Sequence, residues 1–142
     1  MADVRRLHEP FVLMNRVQRQ FEAKLYAKLH ALKGFDALRP AYLAVFRNMN
    51  PHGSRITDIA KRAGVTKQAI GLLVKDMAAA GLVEVAPDPD DARARIVRIP
   101  KANWKRHEQV AAIVVEMLTE LENRIGARGM ETLTELLRKL CD

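Results

Sequence analysis

The chain of 142 residues holds one cysteine, Cys141, and one tryptophan, Trp104, and aromatic residues make up only 5% of it. A single thiol excludes an internal disulfide and any multi-cysteine zinc cluster, and it suits a reducing, cytoplasmic setting. No apolar run approaches the roughly 20 residues that span a bilayer, so no membrane partner is expected. Met1 to Arg6 lacks the apolar segment of a secretion signal. Four histidines, His8, His30, His52 and His107, fall at no metal-ligand spacing, so neither a metal nor a cofactor is expected. Phosphate-binding glycine loops and Ser/His/Asp sets at motif spacing are missing too, which leaves catalysis without residue-level support.

What is present is ordinary in amount and uneven in placement. Hydrophobic content of 49% and charged content of 29% suit a water-facing globular fold. The net charge of +7 favours a polyanionic partner. Residues 1–40 carry eight Lys/Arg against four acids, residues 54–98 eight against six, and residues 99–142 seven of each. The excess therefore lies in the N-terminal two-thirds, with a neutral C-terminal part.

Arg55 to Ile99 is the stretch that organises the rest. Thr57 and Thr66 are candidate N-caps for two short helices, because a hydroxyl can accept from an unpaired first-turn amide. Gly64 supplies the freedom of a sharp turn between them. Ala60 is small where the helices cross, and Ile59, Val65 and Ile70 are the expected pegs beneath the crossing. The second helix is predicted from Lys67 to about Ala80, stopped by Gly81. Leu82–Ala86 and Ala94–Ile99 read as strands around a Pro/Asp turn at residues 87–93. Helix, turn, helix, hairpin is the order of a winged helix-turn-helix.

The flanks read as helix. Residues 1–9 are expected to be a loose arm. An amphipathic helix is predicted from Pro10 to about Lys33, ended by Gly34, and another from Arg39 to Asn50. Beyond Pro100 a helix runs from about Lys101 to Ile125, about 37 Å at 1.5 Å per residue. Trp104, His107, Ala111, Val114, Leu118, Leu121 and Ile125 recur along it as a heptad seam. Gly126 and Gly129 bracket a turn, and a last helix carries Leu133, Leu136, Leu137 and Leu140. Such apolar faces need a partner, which implies a homodimer with Val114, Leu118, Leu121, Ile125, Leu133 and Leu137 at the contact. The fold class is thus mainly α with a small β-hairpin wing. Residues 34–100 form the winged helix-turn-helix, and residues 1–33 and 101–142 a helical dimerisation region.

With that order of elements the chain resembles the MarR family of winged-helix transcriptional regulators. The most specific stretches are Ile59–Gln68, Gly81-Leu82-Val83 and Asp88–Arg95, the last with Asp91 and Arg93 in the places of the family's D-x-R wing signature. Two departures stand out: Ile99-Pro100 where Leu-Thr is usual, and Lys101–Trp104 without the usual glycine. The resemblance implies a homodimer on a pseudo-palindromic operator, usually a repressor, often released by a small aromatic or phenolic effector.

Candidate DNA contacts follow from the helical wheel. With Ile70, Leu73, Val74 and Met77 inward, Lys67, Gln68, Gly71, Leu72 and Lys75 face out, and Thr66, Lys67 and Gln68 enter the major groove first. Gln68 suits a bidentate pair with adenine, Lys67 a guanine or a phosphate, and Lys75 a phosphate. Gly71 is either a close approach to DNA or a tolerated glycine. Leu72 meets either a thymine methyl or the dimer helices. In the wing, Arg93 either enters the minor groove or pairs with Asp91, the structural residue of the turn. Arg95 and Arg98 serve phosphates or a solvated face, and Arg55 and Lys61 are candidate phosphate clamps. An effector pocket between winged domain and dimer helices would draw on Phe11, Met14, Tyr42, Phe46 and Trp104. The acids Glu84, Asp88, Asp90 and Asp91 and an exposed Leu72 sustain one alternative, a winged helix that binds protein rather than specific DNA.

Overall fold

The structure, a computed structural model, describes residues 2–141; Met1 and Asp142, the outer limits of the expected dimerisation region, lie outside them. Two compact units divide the chain, Met1–His107 and Glu108–Asp142. Among the described residues no helix is long and apolar enough to cross a membrane.

In the first unit, α1 (Ala2–His30) is already helical before Pro10, so the expected loose arm is helix instead. The residues ahead of Pro10 include few poor helix formers, Asp3 complements the positive end of the helix, and Arg6 lies 3.6 Å from it at i+3. Against these, Pro10 forfeits one backbone hydrogen bond. Leu25 and Leu29 are buried in the last turns of α1, and Phe35, Leu38, Leu43 and Val45 are buried in the segments that follow. The helix expected from Arg39 begins instead as a 3-10 turn, Pro40–Tyr42, and becomes α2 (Leu43–Asn48). Arg39 ahead of the proline is extended, as the ring of the next residue demands.

The winged part contains β1 (Ser54–Arg55), α3 (Ile56–Ala63), α4 (Lys67–Ala79), β2 (Glu84–Pro87) and β3 (Arg95–Arg98). The sheet has three antiparallel strands in the order β1-β3-β2, one more than the expected hairpin. Two residues are too few to show alternation, and β1 is fixed by distant partners: Ser54 lies opposite Val97 and Arg55 opposite Ile96. The loop before it is closed by the Asn50 N–H donating to Ser54 Oγ at 2.8 Å. A Cβ on Gly53 would stand 2.7 Å from Ile96 Cγ2, so the backbone passes β3 where no side chain fits.

Because α3 begins directly from β1, its N-cap is Arg55, without a side-chain cap, and Thr57 is already helical. The cap expected of Thr57 is absent for that reason. Both helices of the motif end as expected, on left-handed glycines. Gly64 (φ 68°) is followed by a Val65 N–H donating to Ala60 O at 3.1 Å. Gly81 (φ 73°) is followed by a Leu82 N–H donating to Met77 O at 2.9 Å. Ile59, Ile70, Val74, Met77, Val45 and Val97 are the fully buried centre. Val65 is not one of the pegs: it stands 48% exposed, because the chain reverses at Gly64 and Ile59, Ala60 and Ile70 already fill the crossing.

After a 3-10 turn at Lys101–Asn103, α5 (Trp104–Cys141) supplies the whole second unit. Gly126 (φ 76°, ψ 160°) interrupts it where the turn was expected, but Gly129 remains helical. One glycine, not a pair, makes the break. Met117 is the buried residue of α5, one position before the expected seam residue Leu118. Val114, Leu121 and Leu137 are half-buried, whereas Leu118, Ile125 and Leu133 are exposed.

Candidate nucleic-acid interface

Helix α4 starts on Thr66, whose Oγ accepts from the Ala69 N–H at 3.1 Å. The hydroxyl keeps its own proton for an outside acceptor. Ile70, Val74 and Met77 are buried beneath α4, and Lys67, Gln68, Leu72 and Lys75 are exposed on its other side, as the helical wheel predicts, whereas Leu73, expected inward, is only half-buried. Lys67 and Lys75 make no ion pair among the described residues. Gly71 is half-buried, and a Cβ there would meet nothing within 4 Å, so packing within the fold does not require a glycine.

The wing is built by two aspartates. Asp91 Oδ1 accepts from the Arg93 N–H at 3.0 Å, and Asp91 O from the Ala94 N–H at 2.9 Å. Asp91 thus holds the backbone of Arg93 rather than its guanidinium, which is exposed and makes no ion pair among the described residues. Arg95 is exposed at the start of β3, opposite Pro87. Arg98 is engaged: its Nε donates to Glu84 Oε1 at 2.6 Å across the β2–β3 pair.

Asp88 was not singled out as a site in the sequence, yet it is the buried charge of the wing, 5% exposed. Its Oδ2 accepts from Arg55 Nε at 2.5 Å and its Oδ1 from the Asp90 N–H at 2.9 Å. The Asp90 N–H first, and then the Arg55 guanidinium, hold the Asp88 carboxyl below its ordinary value, against the opposing effect of burial. Arg55, a candidate phosphate clamp, therefore spends its Nε on the wing. The repeated spacing was the available signal: Asp88 with Asp90 and Asp91 with Arg93 are successive i to i+2 aspartate turns.

The five residues expected around an effector lie apart in character. Phe11 is exposed, Met14 and Phe46 are half-buried, and Tyr42 is buried. The ring of Trp104 packs on His52 at 4.9 Å and edge-on to His107 at 5.3 Å. An open cleft lined by Asp36, Ala37, Arg39, Tyr42, Asp76, Ala79 and Ala80 includes Tyr42 alone of the five. Where the sequence departs from the family pattern, Asn103 makes the joint: its N–H donates to Pro100 O at 2.8 Å and its Nδ2 to Gly81 O at 2.7 Å.

Residues 38–94, from the end of the α1–α2 connection to the wing, match the MarR family. No curated protein matches the chain. Among solved structures it is similar to a variant of MarR from E. coli complexed with operator DNA, at TM-score 0.72 and 19% identity over 97% of each chain. A MarR family transcriptional regulator from Streptomyces coelicolor, in complex with DNA, is similar at TM-score 0.73 and 14% identity, over 99% of this chain and 90% of that one. BpsR of Bordetella bronchiseptica, whose DNA binding is regulated by 6-hydroxynicotinic acid, is similar at TM-score 0.70 and 16% identity, over 94% and 99%. Those identities speak for the fold alone. The helix-turn-helix and the wing as far as Ala94 lie inside the matched segment, so this part of the chain is similar to the MarR family of winged-helix regulators.

Proposed function

We propose that the chain is a sequence-specific DNA-binding transcriptional regulator, a homodimer that represses from a pseudo-palindromic operator. The observation that carries this is the outer side of α4. Thr66, Lys67, Gln68, Gly71, Leu72 and Lys75 stand together on a helix whose other side is buried, with no acidic partner for either lysine among the described residues. In a helix-turn-helix that side enters the major groove. Arg93, its backbone fixed by Asp91 and its guanidinium exposed, suits the narrow minor groove beside it, and Arg95 the phosphates.

Residues 1–33 and 101–142 serve as the dimerisation region in this reading, with Val114, Leu118, Leu121, Ile125, Leu133 and Leu137 at the subunit contact. It is supported by exposed apolar side chains on both flanks, Val4, Leu7, Phe11 and Val17 on α1 and Leu118, Ile125 and Leu133 on α5. A small aromatic or phenolic acid acts as the effector, with Phe11, Met14, Tyr42, Phe46 and Trp104 as candidate lining. The Bordetella relative regulated by 6-hydroxynicotinic acid supports that chemistry. Footprinting of the purified protein on genomic DNA, with and without a panel of aromatic acids, tests the whole reading. A protected site of two half-sites, lost on adding one of the acids, is the expected result. Uniform protection of any DNA, with a stable protein partner recovered instead, favours the interaction module.

A further inference from the structure

Leu72 is 68% exposed, the most exposed large apolar side chain between residues 54 and 99, with Val65 next at 48%. Neither has a task in the fold, since Ile70, Val74 and Met77 fill the buried side of α4. Gln68, Leu72 and Lys75 follow one another at spacings of four and three on one face of α4, and Val65 stands in the turn just ahead of the Thr66 cap. The helix face runs amide, apolar, cation. Lys67 adjoins it, and neither lysine is paired among the described residues, so its surroundings select a polyanion over an apolar protein surface. The apolar group that a polyanionic duplex offers in its major groove is the C5-methyl of thymine. Beside Leu72, Gly71 has no Cβ and open space in its place, which lowers the wall of the helix at that point.

We infer that Leu72 and Val65 read thymine methyl groups and so help set the sequence preference of this regulator. The inference rests on the DNA-binding reading above and adds to it what part of the base is read. Gln68, one turn before Leu72 on α4, provides the hydrogen-bonding element beside the methyl contact in each half-site.

The test uses the full chain and duplexes enriched by it from a random library. Each thymine is replaced in turn by uracil, which removes the methyl and leaves the hydrogen-bonding edge intact. Wild-type affinity is expected to fall roughly fourfold per lost methyl at one or two positions in each half-site, the equivalent of about 0.8 kcal/mol. Leu72→Ala is expected to bind the thymine and uracil duplexes equally at one of those positions, and Val65→Ala at another. Both residues are exposed, so the variants keep the core. Wild-type indifference to uracil throughout overturns the inference while leaving specific binding intact. A library that enriches no sequence overturns the reading beneath it as well. Sedimentation separates the remaining alternative: Leu72→Ala is expected to match the wild type, and a slower-sedimenting variant assigns Leu72 to a subunit contact instead.

Discussion

At Asp88 one carboxylate fixes the position of another residue's side chain. It ties Arg55 at the start of α3 to the wing turn two strands away, and its second oxygen closes that turn through the Asp90 N–H. Replacing it with an amide takes the negative charge from beside the Arg55 guanidinium and leaves one acceptor oxygen for two donors. Asp88→Asn is therefore expected to lower the melting temperature at neutral pH. The same variant should weaken DNA binding through a displaced Arg93, with gel shift and thermal melts as the readouts. The pH dependence has a definite sign. A carboxyl whose value in the folded state is depressed stabilises the fold above its ordinary value of 3.8, and that contribution is lost as pH falls through the lower, folded-state value. The difference in melting temperature between wild type and Asp88→Asn should thus be full at neutral pH and shrink under acid. A difference that grew on acidification would contradict the assignment. Thr66 is the simpler case: Thr66→Ala removes a hydrogen-bonded N-cap, at a cost of about 1 kcal/mol in chemical denaturation.

At the scale of the element, α4 carries opposed requirements at Gly71. Alanine is the better helix former by about 0.8–1 kcal/mol, and its Cβ would meet nothing. Gly71→Ala should consequently stabilise the protein to denaturant yet weaken specific DNA binding if the duplex approaches the backbone there. Unchanged affinity would show the glycine to be merely tolerated. Lys75→Ala, on the same face, should weaken binding to all sequences alike and reduce the slope of log affinity against log salt by about one. These elements were largely legible in the sequence because local chemistry decides them. The Thr66 cap, the left-handed Gly64 and Gly81, and the inward residues of α4 each follow from neighbours a few positions away. What escaped was decided at a distance. β1 exists because Ser54 and Arg55 meet β3, and it removed the cap expected of Thr57. Asp88 matters because Arg55 arrives from 33 residues upstream. Val65 turned outward because the crossing beneath it was already filled.

For the whole molecule, the proposed scaffold must hold two reading heads one helical repeat of DNA apart. The apolar side chains exposed on α1 and α5 offer the surface that the proposed subunit contact would cover. Placing unpaired charges among them, as in the double variant Leu118→Glu and Leu121→Glu, should cost several kcal/mol of subunit association. Sedimentation is then expected to show a monomer. A folded dimer from that variant would move the contact elsewhere. The claim on which everything turns is that α4 reads bases. Its most direct measurement is the affinity of wild type and Gln68→Ala for an enriched duplex and for a scrambled one, at one salt concentration near 0.15 M. Wild type is expected to prefer the enriched duplex by about a thousandfold or more. Gln68→Ala should lose at least about fivefold of that preference with its affinity for the scrambled duplex unchanged. Equal affinity of the wild type for both duplexes would contradict the account.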